Sequence, residues 1–315
     1  MSTGEAIALG AVQSVVLIAA APLLNGYIKK IKARFQMRRG PGLLQDYWNI
    51  LKWLARSERT PEGASFVSTI APWGVLAAIA AASLFVPVLS EHAPLRSAGD
   101  LFVVVALFAL ARALLTMAGM DSGSAFGQMG SSRELAISAL VEPVLLLSLV
   151  SLAIEPGSTR LPDIVAFGHH NTGEFVTLGW ALAIVAFAVV VVAETGRIPV
   201  DNPDTHLELT MVHEGMLIEF SGRSLGVLHL AHLLKQAVLL VLLVNVFFPF
   251  EMAGSHGAGE HALVVALVAG KIAIAACGLA IVESIFAKMR LFELPDLIGA
   301  AGFTAILGAT LVVIF

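Results

Sequence analysis

Eight apolar blocks of about twenty residues follow one another along this 315-residue chain, and they constrain its fold more than any other feature. They lie at about 5–28, 66–90, 100–118, 134–154, 177–194, 226–250, 261–283 and 297–315. At 1.5 Å of rise per residue, a helix of roughly 20 residues crosses a hydrocarbon core of about 30 Å. Backbone in lipid must satisfy its own hydrogen bonds, and blocks this long do so as helices. Runs such as LAAIAAASLFVPVL lack the alternation that a membrane β-barrel strand requires. The predicted fold is all-α: a polytopic integral membrane protein of about eight transmembrane helices, one membrane domain over 1–315 with no soluble domain left over. Only 13% of the residues are charged, about half the share in an ordinary soluble domain. No convincing A-x-A-like cleavage site follows the first block, which therefore reads as a retained helix.

The basic residues orient these spans. Cytoplasmic loops are expected at about 29–65, 119–133, 195–225 and 284–296, because these hold fourteen of the nineteen Lys and Arg. The opposite connections hold only Arg96 and Arg160, which places both termini on the non-cytoplasmic side. The bacterial cytoplasmic membrane is the expected location.

Arg112, Lys235 and Lys271 fall inside spans, and so does Glu142, which is followed by Pro143. A carboxylate at that depth costs roughly 2 to 4 kcal/mol unless it finds water, a cation or a proton. Proline frees a backbone carbonyl and opens room for water. Two readings stand: an Arg112–Glu142 pair that locks two helices together, or a protonatable relay. Glu194 and Glu283 sit at the cytoplasmic ends of their helices, so the ionisable groups crowd one half of the membrane and the midplane. That pattern predicts a half-path opening inward.

The longest acid-rich passage begins at Glu194 and adds Asp201, Asp204, Glu208 and Glu214 against a single arginine, Arg197. Gly196, Pro199 and Pro203 stop the preceding helix, and a short helix is predicted from about Thr205 to Phe220, capped by Asp201 or Asp204. The segment is expected to fold back along the membrane surface with its acids facing an aqueous pocket. His206 and His213 do not match the spacing of a His-Glu-x-x-His site, and no third and fourth ligand accompanies them. No metal is expected in this chain. A lone cysteine, Cys277, completes neither a disulfide nor an iron–sulfur cluster, so any electron carrier is diffusible or belongs to another subunit.

The first basic loop contains Arg34 and then Arg38 and Arg39 immediately before Gly40, Pro41 and Gly42, a sequence that fixes a tight backbone after two cations. An amphipathic helix is predicted from about Asp46 to Ala55, lying at the membrane interface or under a partner. Juxtamembrane cations also hold anionic lipids. Nothing in the pattern points to nucleic acid.

Three passages carry a family resemblance: KARFQMRRGPGLLQDYWNILKWL, GMDSGSAFGQMGSSRE with LVEP downstream, and ETGRIPVDNPDTHLELTMVHEGMLIEFSG. With Leu234-Lys235-Gln236 and VESIFAKMRLF, they span nearly the whole chain. It resembles the membrane subunit 1 family of respiratory complex I and the energy-converting membrane-bound hydrogenases, in particular the branch of formate hydrogenlyase subunit 4 and hydrogenase-4 component C. At Pro199-Val200-Asp201 this chain departs from a family pattern of Pro-Phe-Asp followed by an Ala-Glu-rich run.

The resemblance implies a non-catalytic subunit of an oxidoreductase complex, one that anchors a hydrophilic redox arm and couples it to antiporter-like membrane subunits. In the hydrogenase branch the redox chemistry belongs to nickel–iron and iron–sulfur centres on those partners, in complex I the cavity at the subunit interface receives a quinone, and this chain would hold no cofactor of its own under either alternative. Its proton path is expected among Glu142, Glu194, Asp201, Glu208 and Glu214, with Glu219, Glu283, Arg112, Lys235 and Lys271 beside them. Docking of the soluble arm is expected at Arg34, Arg38, Arg39, Gly40, Pro41 and Gly42, together with Asp46, Arg133, Glu134 and Arg197. The competing readings are a purely structural anchor and an independent secondary transporter. The latter lacks visible repeated halves or paired broken helices.

Overall fold

The structure, a computed structural model, describes residues 3–59, 63–88, 99–201, 212–249 and 258–314. Among these residues it contains helices and no strand, only an isolated bridge between Asp100 and Arg160. In chain order the helices are α1 (Thr3–Phe35), α2 (Gln45–Leu54), α3 (Phe66–Phe85), α4 (Leu101–Asp121), α5 (Ala125–Ala153) and α6 (Leu161–His170). There follow α7 (Thr172–Phe175), α8 (Leu178–Glu194), α9 (His213–Leu217), α10 (Gly222–Phe247), α11 (Ala258–Ile285) and α12 (Leu294–Ile314).

The eight predicted spans correspond to α1, α3, α4, α5, α8, α10, α11 and α12, of which seven are long and apolar enough to cross a membrane. The remaining one, α8, has 17 residues. It ends at Glu194, as predicted, where Gly196, at φ 57°, takes the left-handed conformation that closes the helix.

Polar termini are tied down locally. The Asp100, Ser124 and Thr177 side chains accept from the first-turn N–H groups of α4, α5 and α8. Asn245 on α10 donates to the carbonyls of Pro87 and Val88 just beyond α3, at 2.8 and 2.9 Å, satisfying groups that lipid could not.

α10 is the hub. It packs against α1, α2, α3, α8 and α11, and most of its residues are buried. α3 pairs with α4, and α12 lies between α5 and α8. α8 and α12 cross closely at two glycines: a Cβ on Gly308 would stand 2.8 Å from the Gly179 carbonyl oxygen. Gly308→Val is expected to push the two helices apart at a cost of about 1–3 kcal/mol, read as a lowered unfolding temperature in detergent.

Connector lengths differ from expectation. The predicted loop 119–133 is a turn, Ser122 to Ser124, because α4 runs on to Asp121 and α5 begins at Ala125. The polar start of α5 is helical because Gly127, Gly130 and Ser131 pack inward, with Ser131 donating to the Thr116 carbonyl at 3.1 Å. α1 likewise extends seven residues past the predicted boundary, to Phe35. The predicted amphipathic helix is present as α2, with Asp46 and Ile50 buried and Trp48 and Leu51 exposed. The Gly-Pro-Gly turn folds back on α1, where a Cβ on Gly40 would stand 2.9 Å from that of Ala33. Of the predicted helix 205–220, residues 205–211, with His206 and Glu208, lie outside the described residues, as does its candidate cap Asp204; in the described part, 212–220, the helix is the short α9.

Candidate functional site

Arg112 of α4 is the centre of a buried ion cluster. Its guanidinium donates to Glu142 of α5 and to Glu194 of α8, and its Nε lies 3.4 Å from Glu134 of α5. Lys235 of α10 reaches the second oxygen of Glu194 at 2.5 Å. The planar guanidinium fork lets one residue serve carboxylates on two helices, which the single point charge of a lysine does not. Burial is graded: the Arg112 and Glu194 side chains are 5% and 1% exposed, whereas Glu142 is 34% exposed. Among the described residues three carboxylates face two cations, so uptake of one proton brings these five groups to neutrality.

A second cluster is built on Arg197, in the turn after α8. Its guanidinium donates to Glu283 of α11 at 2.5 Å, to Asn25 of α1 at 2.7 Å and to Gln236 of α10 at 2.8 Å. Glu283 also meets Lys32 at 3.3 Å. Asn25 donates in turn to Asp46 of α2, which Lys29 reaches at 2.8 Å. The two clusters adjoin through consecutive residues of α10, Lys235 and Gln236. Nearby, Asp201 pairs with Lys288 at 2.9 Å and accepts from the N–H groups of Val212 and His213 at 3.3 and 3.4 Å, while the predicted helix start near Thr205 that it was expected to cap lies outside the described residues.

Above the Arg197 cluster opens a cavity of about 400 Å³. Lys29, Lys32, Arg38, Arg39 and Arg197 line it, with Glu214 and Glu283 as its acids and His213, His229 and His232 as its imidazoles. The Arg38 to Pro41 part of the basic loop thus forms the cavity rim.

The structure brings together most, but not all, of the residues singled out in the sequence. Glu142, Glu194, Arg112 and Lys235 meet in one cluster, while Arg197 and Glu283 meet in the other. Lys271 stands apart on α11, where it donates to the Phe248 carbonyl at 3.3 Å. Glu219, beyond α9, lines none of these spaces, and Glu208 lies outside the described residues. Three expected docking residues face inward instead: Asp46 and Arg197 are buried in the second cluster, and Glu134 belongs to the first. Arg34, Pro41 and Gly42 are exposed, and Arg133 is half-buried.

Sequence reading missed His229, His232, Asn25 and Gln236. The run HLAHLLKQ carried the signal for three of them, because His229, His232 and Gln236 recur at helical spacing on one face of α10. Among the described residues, no group of three or more His, Cys, Asp or Glu is placed to hold a metal ion.

The family model described as NADH dehydrogenase matches residues 7–314. The chain belongs to that family, the complex I subunit 1 family. Within the NADH dehydrogenase family, formate hydrogenlyase subunit 4 of Escherichia coli K12 is 35% identical over 293 residues, covering 93% of this chain and 94% of that protein. Hydrogenase-4 component C of the same organism is 35% identical over 256 residues, 79% of this chain and 78% of its own length. An NADH-quinone oxidoreductase component from Salinibacter ruber is 26% identical over 244 residues, 74% of this chain and 69% of its own. A chain of the membrane-bound sulfane sulfur reductase, an archaeal respiratory membrane complex, shares the fold with a TM-score of 0.85 at 20% identity, covering 98% of this chain and 99% of that one. Seven candidate spans and kinship with the E. coli subunits make this family member an integral protein of the bacterial inner membrane.

Proposed function

We propose that this chain is the membrane-anchoring and proton-transfer subunit of a complex I-like or group 4 hydrogenase-like energy-converting oxidoreductase. It couples a hydrophilic redox arm, seated on the basic face, to antiporter-like membrane subunits. The observation that carries this reading is the buried Arg112 cluster, which joins α4, α5, α8 and α10 and ends at the half-exposed Glu142. A structural lock needs paired charges. It does not need one carboxylate more than the cations balance, nor a polar cavity beside it.

The basic face is taken as cytoplasmic from its excess of Lys and Arg. The arm is proposed to dock around Arg34, Arg38, Arg39 and the Gly-Pro-Gly rim of the cavity, with Arg133 as a further contact and anionic lipids at the flanking cations. Nickel–iron and iron–sulfur centres belong to the partners. N–H donors on the cavity wall suit the carbonyl oxygens of a quinone ring, and Leu217 and Leu233 add apolar surface. When bound there, a quinone would supply a two-electron acceptor whose reduction takes up protons. The residues of this chain would orient the ring and receive or deliver those protons.

Glu142→Gln and Glu194→Gln, introduced into the whole complex, are expected to leave its subunits copurifying. They should lower proton movement on reconstitution into liposomes by at least about a hundredfold, the scale of losing a proton-transfer group. Wild-type proton movement in both variants would sink the relay reading. A loss that merely tracks dissociation of the complex would favour a structural anchor, which the Arg112–Glu142 pair by itself also supports.

A further inference from the structure

We infer that His213 and His232 form a proton-exchanging partition between the open cavity and the Arg112 cluster. This rests on the proton-transfer reading and names the residues by which protons enter the buried network.

Three spaces lie in series. The cavity of about 400 Å³ adjoins a space of about 30 Å³ walled by Arg112, Glu134 and Lys235, and the residues common to both are His213, Leu217 and His232. That small space shares Arg112 and Glu134 with another of about 20 Å³, which reaches Glu194 and Asp201. Spaces of this size hold about one to three waters, given roughly 10–15 Å³ for each. The cavity has no lining residue in common with the space that reaches Glu194, whereas the intermediate space shares residues with both, and its boundary with the cavity is formed by the two imidazoles and the apolar Leu217.

The two rings lie with centroids 4.5 Å apart and planes inclined by 36°. Neutral imidazole accepts a proton at one nitrogen while releasing one from the other, so a proton crosses without the ring moving through the barrier. One N–H bond forms on the nitrogen that receives the proton and one breaks on the other, leaving the ring neutral in its other tautomer, which a ring flip returns to the first before the next proton. Leucine offers no such exchange.

Proton donors and acceptors stand on both sides. On the cavity side the rings face Glu214 of α9, Glu283 of α11 and His229 of α10. The cations there are Lys29 and Lys32 of α1, Arg197 after α8, and Arg38 and Arg39 on the rim. On the inner side they face Arg112 of α4, Glu134 of α5 and Lys235 of α10, while α3 contributes only Val75 and Ile79. Glu134 is the carboxylate placed to take the proton into the cluster. Its position at the junction of both small spaces explains why it is turned inward.

The test uses the whole complex in liposomes, with proton movement followed by a pH-sensitive dye. His232→Gln and His213→Gln are each expected to assemble normally and to lower proton movement at least about a hundredfold. His213 is half-buried on the short α9, so His213→Gln decides the question if His232→Gln fails to assemble. A wild-type rate in assembled His213→Gln overturns the inference. Should Glu142→Gln or Glu194→Gln lower proton movement in parallel, the broader reading survives that result; should both also behave as wild type, both readings fall.

Discussion

Replacing Arg112 by methionine is expected to destabilise the assembled subunit by about 3–5 kcal/mol, the cost of leaving a buried charge without its partner. The guanidinium is 5% exposed and faces Glu134, Glu142 and Glu194, so its removal leaves three carboxylates with Lys235 alone among the cluster's cations. Glu142 has an exposed side from which it can be neutralised, whereas Glu194, 1% exposed, does not. The readout is the yield of intact complex and its unfolding temperature in detergent. Arg112→Lys should recover only part of the loss, since one ammonium cannot span two helices. Adding Glu194→Gln to Arg112→Met should restore stability relative to the single variant, because it removes the most deeply buried orphan. Additive losses in that double-mutant cycle would show that the two side chains are energetically independent, contrary to their geometry.

Legibility in the sequence followed the physics of each feature. The eight spans were readable because lipid leaves the backbone one economical conformation, and hydropathy reports where that applies. The intramembrane position of Arg112 and Glu142, and their pairing, could be read because a charge at that depth demands a partner. Which further groups joined them could not. Glu194 lies 82 residues from Arg112, and Lys235 comes from yet another helix, so their meeting depends on how α4, α8 and α10 cross. Asp46 and Arg197 were misplaced for a related reason: in sequence they sit among loop charges, and only folding shows Asn25 bridging them. The length of α5 was underestimated because its first turns are polar, and small residues that pack against a neighbouring helix leave no mark in hydropathy. His229 and His232 were readable by periodicity, yet a face of imidazoles becomes a wall only when a cavity lies on it.

Arg197→Leu is the other substitution expected to have a large effect, again about 3–5 kcal/mol in stability, with a different signature. Arg197 is nearly buried and draws α1, α10 and α11 together through Asn25, Gln236 and Glu283, so its loss should loosen the cavity floor while the Arg112 cluster remains closed. Glu283 retains Lys32 at 3.3 Å, and Asp46 retains Lys29 at 2.8 Å. Neither carboxylate is fully stranded, and the principal cost falls on the orphaned amides and the broken connection between helices. Hydrogen exchange in the intact complex should therefore rise in the basic-face ends of α1 and α11, and in α9, while the α8–α12 crossing keeps its protection. Arg197→Lys, which keeps a charge beside Glu283 but cannot also reach both amides, should fall between wild type and Arg197→Leu. Uniform loss of protection across all the helices would mean that Arg197 holds the whole bundle. Exchange unchanged at α1, α9 and α11 would mean that it does not organise the cavity floor.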